Sequence, residues 1–136
     1  MTTPRTRSTG LRIAAGIALV FGALTIVSGG QALFGDSAAQ AAAGNAVPFV
    51  LWFNFLSGFA YMLAGVGIAL REPWSGSLAW ALAVAIVAVF ALFGWYVLQG
   101  GPYEMRTVGA MVLRAAVWIG IALYLHRVLK PVSPPA

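Results

Sequence analysis

The sequence predicts an all-α membrane protein, a four-transmembrane-helix antiparallel bundle with both termini cytoplasmic, and three observations carry that prediction. The first is composition: 61% of the 136 residues are hydrophobic and 8% are charged, against about a quarter charged in a soluble domain. Such a chain cannot cover its own surface with polar groups, so lipid is its main solvent. The second is a set of four apolar runs of about 20 residues or more, each long enough to cross a ~30 Å hydrocarbon core as a helix. They are continuous, unlike the alternating strands of a closed barrel. The third is the placement of basic residues beside the runs, which gives the bundle an orientation.

The elements follow in order. A basic N-terminus at 1–10 leads into spans at about 11–30, 49–70, 78–98 and 105–129, and residues 130–136, "KPVSPPA" from Lys130, read as a disordered tail. Pro48 stands where the second span opens, a position that tolerates proline. "REPWSGS" from Arg71 is a short polar break. In "QGGPYE" from Gln99, Gly100 and Gly101 end the third span and Pro102 can open the fourth, with Glu104 in its first turn, where the helix dipole favours a negative charge. The first span has the basic start of a secretory signal, but its apolar stretch exceeds the usual ~7–15 residues, which favours a retained span.

Arg5, Arg7 and Arg12 precede the first span, Arg71 follows the second, and Arg127 and Lys130 follow the fourth. With four spans these share one side, which the positive-inside tendency makes cytoplasmic. Gln31 to Val47 and Gly100 to Tyr103 then face outward. Trp52, Trp95, Tyr96 and Tyr103 form an outer aromatic belt, and Trp74, Trp80 and Tyr124 an inner one.

Small and polar residues predict the packing faces. The first span offers Ala18, Gly22, Thr25 and Gly29, and the second offers Asn54, Ser57, Gly58, Tyr61 and Gly65. The third offers Ala81, Ala85, Ala88 and Leu92, and the fourth Thr107, Ala110, Met111 and Arg114.

Arg114 is the residue that asks for an explanation. It lies ten residues past Glu104, about 15 Å along the helix and close to midplane. An arginine there costs ~2.5–3.5 kcal/mol on insertion scales. Its side chain leans toward the helix N-terminus, which is outward. Candidate partners are Asn54 as an orienting acceptor, Tyr61 as a hydroxyl, Glu104 as counter-charge, and Gln99, with Arg106 nearer the surface. Three readings remain open: a pocket for a small anionic or carbonyl-bearing ligand, a structural tie between the second and fourth spans, and a contact with an acidic group on a membrane-protein partner or a second copy.

Other chemistry is excluded or weak. The chain has no cysteine and one histidine, which removes disulfides, thiolate metal sites and paired-histidine haem ligation. Asp36 reads as a turn or cap residue. The sequence contains no phosphate loop, metal-spacing motif or nucleophile–base pair. No catalytic residue, metal or cofactor is expected. The net charge of +5 is spread beside spans rather than gathered in a nucleic-acid patch.

"LRIAAGIALVFGALTIVSGG" followed by "SGFAYMLAGVGIALREPWSGSLAWALAVAIVAVF" resembles the DoxX-like class of small four-helix bacterial membrane proteins. "PFVLWFNFLSGFAY" and "YEMRTVGAMVLR" are similar to a family of small four-span bacterial inner-membrane proteins with no assigned chemistry. The resemblance implies the fold and a bacterial inner membrane. It also implies a quinone-linked or redox-accessory role, for which the sequence shows no motif. The leading expectation is a non-enzymatic accessory protein that binds a ligand or partner through an outward-facing site around Arg114. A transporter or channel module acting as an oligomer, and a DoxX-like redox accessory, are the alternatives.

Overall fold

The computed structural model describes residues 4–44 and 47–129, so the tail at 130–136 lies outside the described residues. The chain forms five helices: α1 (Pro4–Phe34), α2 (Ser37–Ala43), α3 (Pro48–Ala69), α4 (Trp74–Leu98) and α5 (Met105–Val128). No strand occurs among the described residues. Four helices are long and apolar enough to cross a membrane, over Thr9–Phe34, Pro48–Ala69, Trp74–Leu98 and Met105–Val128. The protein is an all-α, multi-pass membrane bundle. Its outward surface carries large apolar side chains such as Leu24, Leu56, Val84, Trp95 and Leu113, the surface that a lipid solvent selects.

α1 and α4 overrun the spans read from hydropathy, whereas α3 and α5 match theirs to within one residue. α1 begins at Pro4 rather than near 11 and continues to Phe34 rather than 30. Hydropathy marks where the chain meets hydrocarbon, whereas the backbone hydrogen bonds of a helix continue into polar sequence. α4 begins at Trp74 rather than 78, because "WSGS" forms its first turn: the Ser75 hydroxyl donates to the Glu72 carbonyl at 2.7 Å. α5 begins at Met105, and Pro102 stays outside it in extended chain, its carbonyl accepting from the Tyr96 hydroxyl at 2.9 Å.

Two connections are closed by the same device. At the end of α3 the Glu72 amide reaches Gly67 and the Arg71 amide reaches Ile68; at the end of α4 the Gly101 amide reaches Tyr96 and the Gly100 amide reaches Val97. This paired 6→1 and 5→2 pattern satisfies the last carbonyls and needs a left-handed residue. Gly100 supplies it at φ 88°, and Arg71 supplies it at φ 58° despite its side chain.

In space the order is α1, α3, α4, α5, each packed on the next and each antiparallel to it, with α2 against the end of α1. The α1–α3 seam is the closest. A Cβ on Gly22 would come within 2.8 Å of the Gly58 carbonyl oxygen, and one on Gly58 within 3.1 Å of the Gly22 carbonyl oxygen. Only residues without a side chain permit that approach, the small-residue packing of membrane helices. Ala18, Gly22, Thr25 and Gly29 of α1 face this interior, as do Ser57, Gly58, Tyr61 and Gly65 of α3.

The α4 face differs from expectation. Ala81 and Ala88 are exposed, and Leu92 is 58% exposed, while Ala79, Leu82, Ala83, Ile86 and Phe93 are buried. Nearly every position of α4 is apolar, so small-residue spacing does not distinguish a face. Leu82, Ile86 and Phe93 fill the core with Ala79 and Ala83 beside them, while Ala81 and Ala88 face lipid.

Candidate functional site

Three helices hold Arg114 in place. Counting residues at 1.5 Å rise, Arg114 lies about 14 Å below the first residue of α5. Thr25 lies equally far from the last residue of α1, so the two meet at one level. The Arg114 Nη2 donates to the Thr25 hydroxyl at 3.4 Å, and its guanidinium carbon stands 5.7 Å from the centroid of the Phe21 ring, a cation–π distance. Arg114 therefore links α5 to α1, and its guanidinium also interacts with the Tyr61 hydroxyl of α3.

Beneath the guanidinium lies an aromatic floor. Phe21 of α1 and Tyr61 of α3 have ring centroids 5.9 Å apart, and Tyr61 and Trp118 of α5 have theirs at 4.9 Å. Tyr61 and Trp118 are fully buried. Trp118 stands four residues after Arg114 and so shares its helix face. This layer separates the Arg114 level from the inner half of the bundle.

Above the floor is a cavity of about 250 Å³. Its lining includes Thr25, Ser28 and Ala32 of α1, Val47 before α3, Val50, Leu51 and Asn54 of α3, and Glu104, Arg106, Thr107, Ala110 and Arg114 from the α5 region. The lining carries the hydroxyls of Thr25, Ser28 and Thr107 on α1 and α5, and Val47, Val50, Leu51 and Asn54 on the α3 side. Its mouth is at the α2 end of the bundle, where α5 begins.

Of the six site residues expected from sequence, four line this cavity: Arg114, Asn54, Glu104 and Arg106. Tyr61 belongs to the floor. Gln99 is exposed at the end of α4 and does not line it; the α4 end lies across the bundle from α1. Two of the four have roles other than those expected. Glu104 sits just before α5 in extended conformation and makes no side-chain cap bond to it. Its carboxylate lies instead against Gly44, whose φ of 62° and lack of a side chain make room for it. Arg106 donates to the Ala42 carbonyl at 2.9 Å, placing a cation at the C-terminus of α2, where the dipole favours one. Asp36 caps the other end of α2, accepting from the Ala39 amide at 2.8 Å. The short helix is thus held from both ends beside the cavity mouth.

Several buried polar atoms here have no hydrogen-bond partner among the described residues: Asn54 Oδ1, Tyr61 Oη, Arg114 Nε and Trp118 Nε1. Each such atom costs about 1–3 kcal/mol, and all four belong to the facing sides of α3 and α5. Asn54, expected to orient Arg114, lines the same cavity, and its carbonyl oxygen accepts no hydrogen bond from the described residues.

Sequence reasoning missed Ser28 and Trp118. Ser28 lies three residues after Thr25 on the same helical face, a polar pair inside an apolar run. Trp118 sits in the middle of a span, away from the interfaces that tryptophan favours, and one turn from the charge. Both signals were legible. Among the described residues no cluster of three or more His, Cys, Asp or Glu gathers in a way that could hold a metal. Comparisons with family models, with curated proteins and with solved structures give no match.

Proposed function

We propose that the protein is a non-enzymatic, ligand-binding accessory protein of a bacterial inner membrane, with the α2 end facing outward and both termini in the cytoplasm. The orientation rests on Arg12, Arg71 and Arg127, which lie toward the opposite end. The DoxX-like resemblance contributes the bundle to this proposal and no activity.

One observation carries the binding role. A guanidinium about 14 Å deep in an apolar bundle lines a cavity, with the Thr25 and Tyr61 hydroxyls and the Phe21 ring as its neighbours. A charge at that depth is costly, and a structural tie would surround it with acceptors. Arg114 instead borders a cavity that also carries hydroxyls of α1 and α5. The ligand supported by this arrangement is small and bears an anionic or carbonyl group that the guanidinium meets.

The test is native mass spectrometry of the protein released gently from its own membrane, beside Arg114→Gln. A bound small mass on the wild type, absent from an equally folded variant, is the expected result. Two bare, equally folded proteins would remove ligand binding as the function.

A further inference from the structure

We infer that the ligand is a short-chain monocarboxylate, an inference that rests on the binding role proposed above and names its chemical class. Charge, shape and donor supply each narrow the choice.

The charged residues lining the cavity are Arg114, Arg106 and Glu104, which together leave one positive charge for a ligand to neutralise. A monoanion matches that balance. A phosphate dianion calls for a second cation, but Arg106 is already turned to the Ala42 carbonyl at 2.9 Å, and Glu104 in the same mouth repels a second negative charge. The donors also suit a carboxylate. Arg114 gives Nη2 to Thr25, and its guanidinium lines the cavity beside that hydroxyl. The Thr25 hydroxyl accepts that bond and keeps its own proton to donate. Two donors on adjacent side chains fit the two oxygens of one carboxylate.

The rest of the cavity describes the ligand's body. Val47, Val50, Leu51 and Ala110 supply aliphatic lining, suited to a short hydrocarbon chain. The cavity of about 250 Å³ is many times what one water needs and has room for a short chain. The Phe21–Tyr61–Trp118 layer closes the bottom, so the carboxylate is the deep end and the chain points toward the mouth.

The experiment is saturation-transfer NMR on the full-length protein in detergent, with butyrate as probe, butyramide as its neutral counterpart and inorganic phosphate as competitor. Butyrate is expected to bind saturably, butyramide at least tenfold more weakly, and phosphate not to displace butyrate. Arg114→Gln is expected to weaken butyrate at least tenfold, the loss for a charge-assisted hydrogen bond. Ala110→Leu, which fills the cavity without touching the charge, should abolish the signal and serves if the arginine variant does not fold. Displacement by phosphate, equal binding of butyramide, or butyrate retained by folded Ala110→Leu would overturn the proposal. If butyrate fails to bind while native mass spectrometry still shows an Arg114-dependent mass, the ligand class is wrong and the pocket stands. If neither is seen, both readings fall.

Discussion

The bundle contains two kinds of helix contact. Along the α1–α3 seam the backbones approach until Gly22 and Gly58 face one another's carbonyls, with Gly65 against Leu19. Across from it, α5 meets α1 and α3 through long side chains: Arg114 to Thr25, and Trp118 to Tyr61. The first contact leaves no room for a solute. The second holds the helices apart, and the cavity occupies the space above the aromatic layer. In lipid, where helix association gains little from hydrophobic burial, close packing is the cheap way to join two helices. A wide contact that buries a charge and polar atoms costs stability.

Removing the floor should have the largest effect. Trp118→Ala deletes a fully buried ring and is expected to destabilise by about 3–5 kcal/mol, lowering the thermal midpoint in detergent. If stability barely changes, the aromatic layer does not hold α5 in place and the contrast between the two contacts is weaker than stated.

At the close seam, Gly22→Val should cost about 1–3 kcal/mol or more, because the nearest atoms include the Gly58 backbone, which cannot swing aside as a side chain can. Unfolding in detergent measures it. A neutral outcome would mean the two helices can separate freely.

Arg114→Met separates use from support. Replacing a charge that costs ~2.5–3.5 kcal/mol to insert with an apolar side chain of similar length should leave stability unchanged or higher while ligand binding disappears. A loss of stability above about 2 kcal/mol would recast Arg114 as a structural tie.

The smallest effects test backbone positions outside both contacts. Gly109→Ala on α5 meets nothing within 4 Å and should stabilise by about 1 kcal/mol through helix propensity. Arg71→Gly relieves a left-handed residue at φ 58° and should likewise gain about 1 kcal/mol. Midpoints from the same unfolding assay check both, and a destabilised Arg71→Gly would show that its side chain contributes more than its backbone costs.

Part of the site was legible along the chain because charge is conspicuous in an apolar run. Arg114 and Asn54 stand out in that way, and the small-residue faces of α1 and α3 follow from spacing. Tyr61 was legible as a neighbour of Arg114, but Thr25 was not. Thr25 reaches it only because α1 lies beside α5 at matching depth, a relation between residues 89 positions apart in sequence. The α4 face was misread for a related reason: an almost uniformly apolar helix has no pattern to read.

By itself the sequence determined the solvent, the number of spans and the places where the chain turns, because hydropathy, glycine and proline act locally on the backbone. Only the tertiary structure decided which side chains meet. Glu104 resting against Gly44, Arg106 reaching Ala42, and the cavity lined by hydroxyls and aliphatic side chains all depend on how far apart the helices stand. That distance is set by the bulk of residues such as Trp118 and Tyr61 acting together, and no single stretch of sequence encodes it.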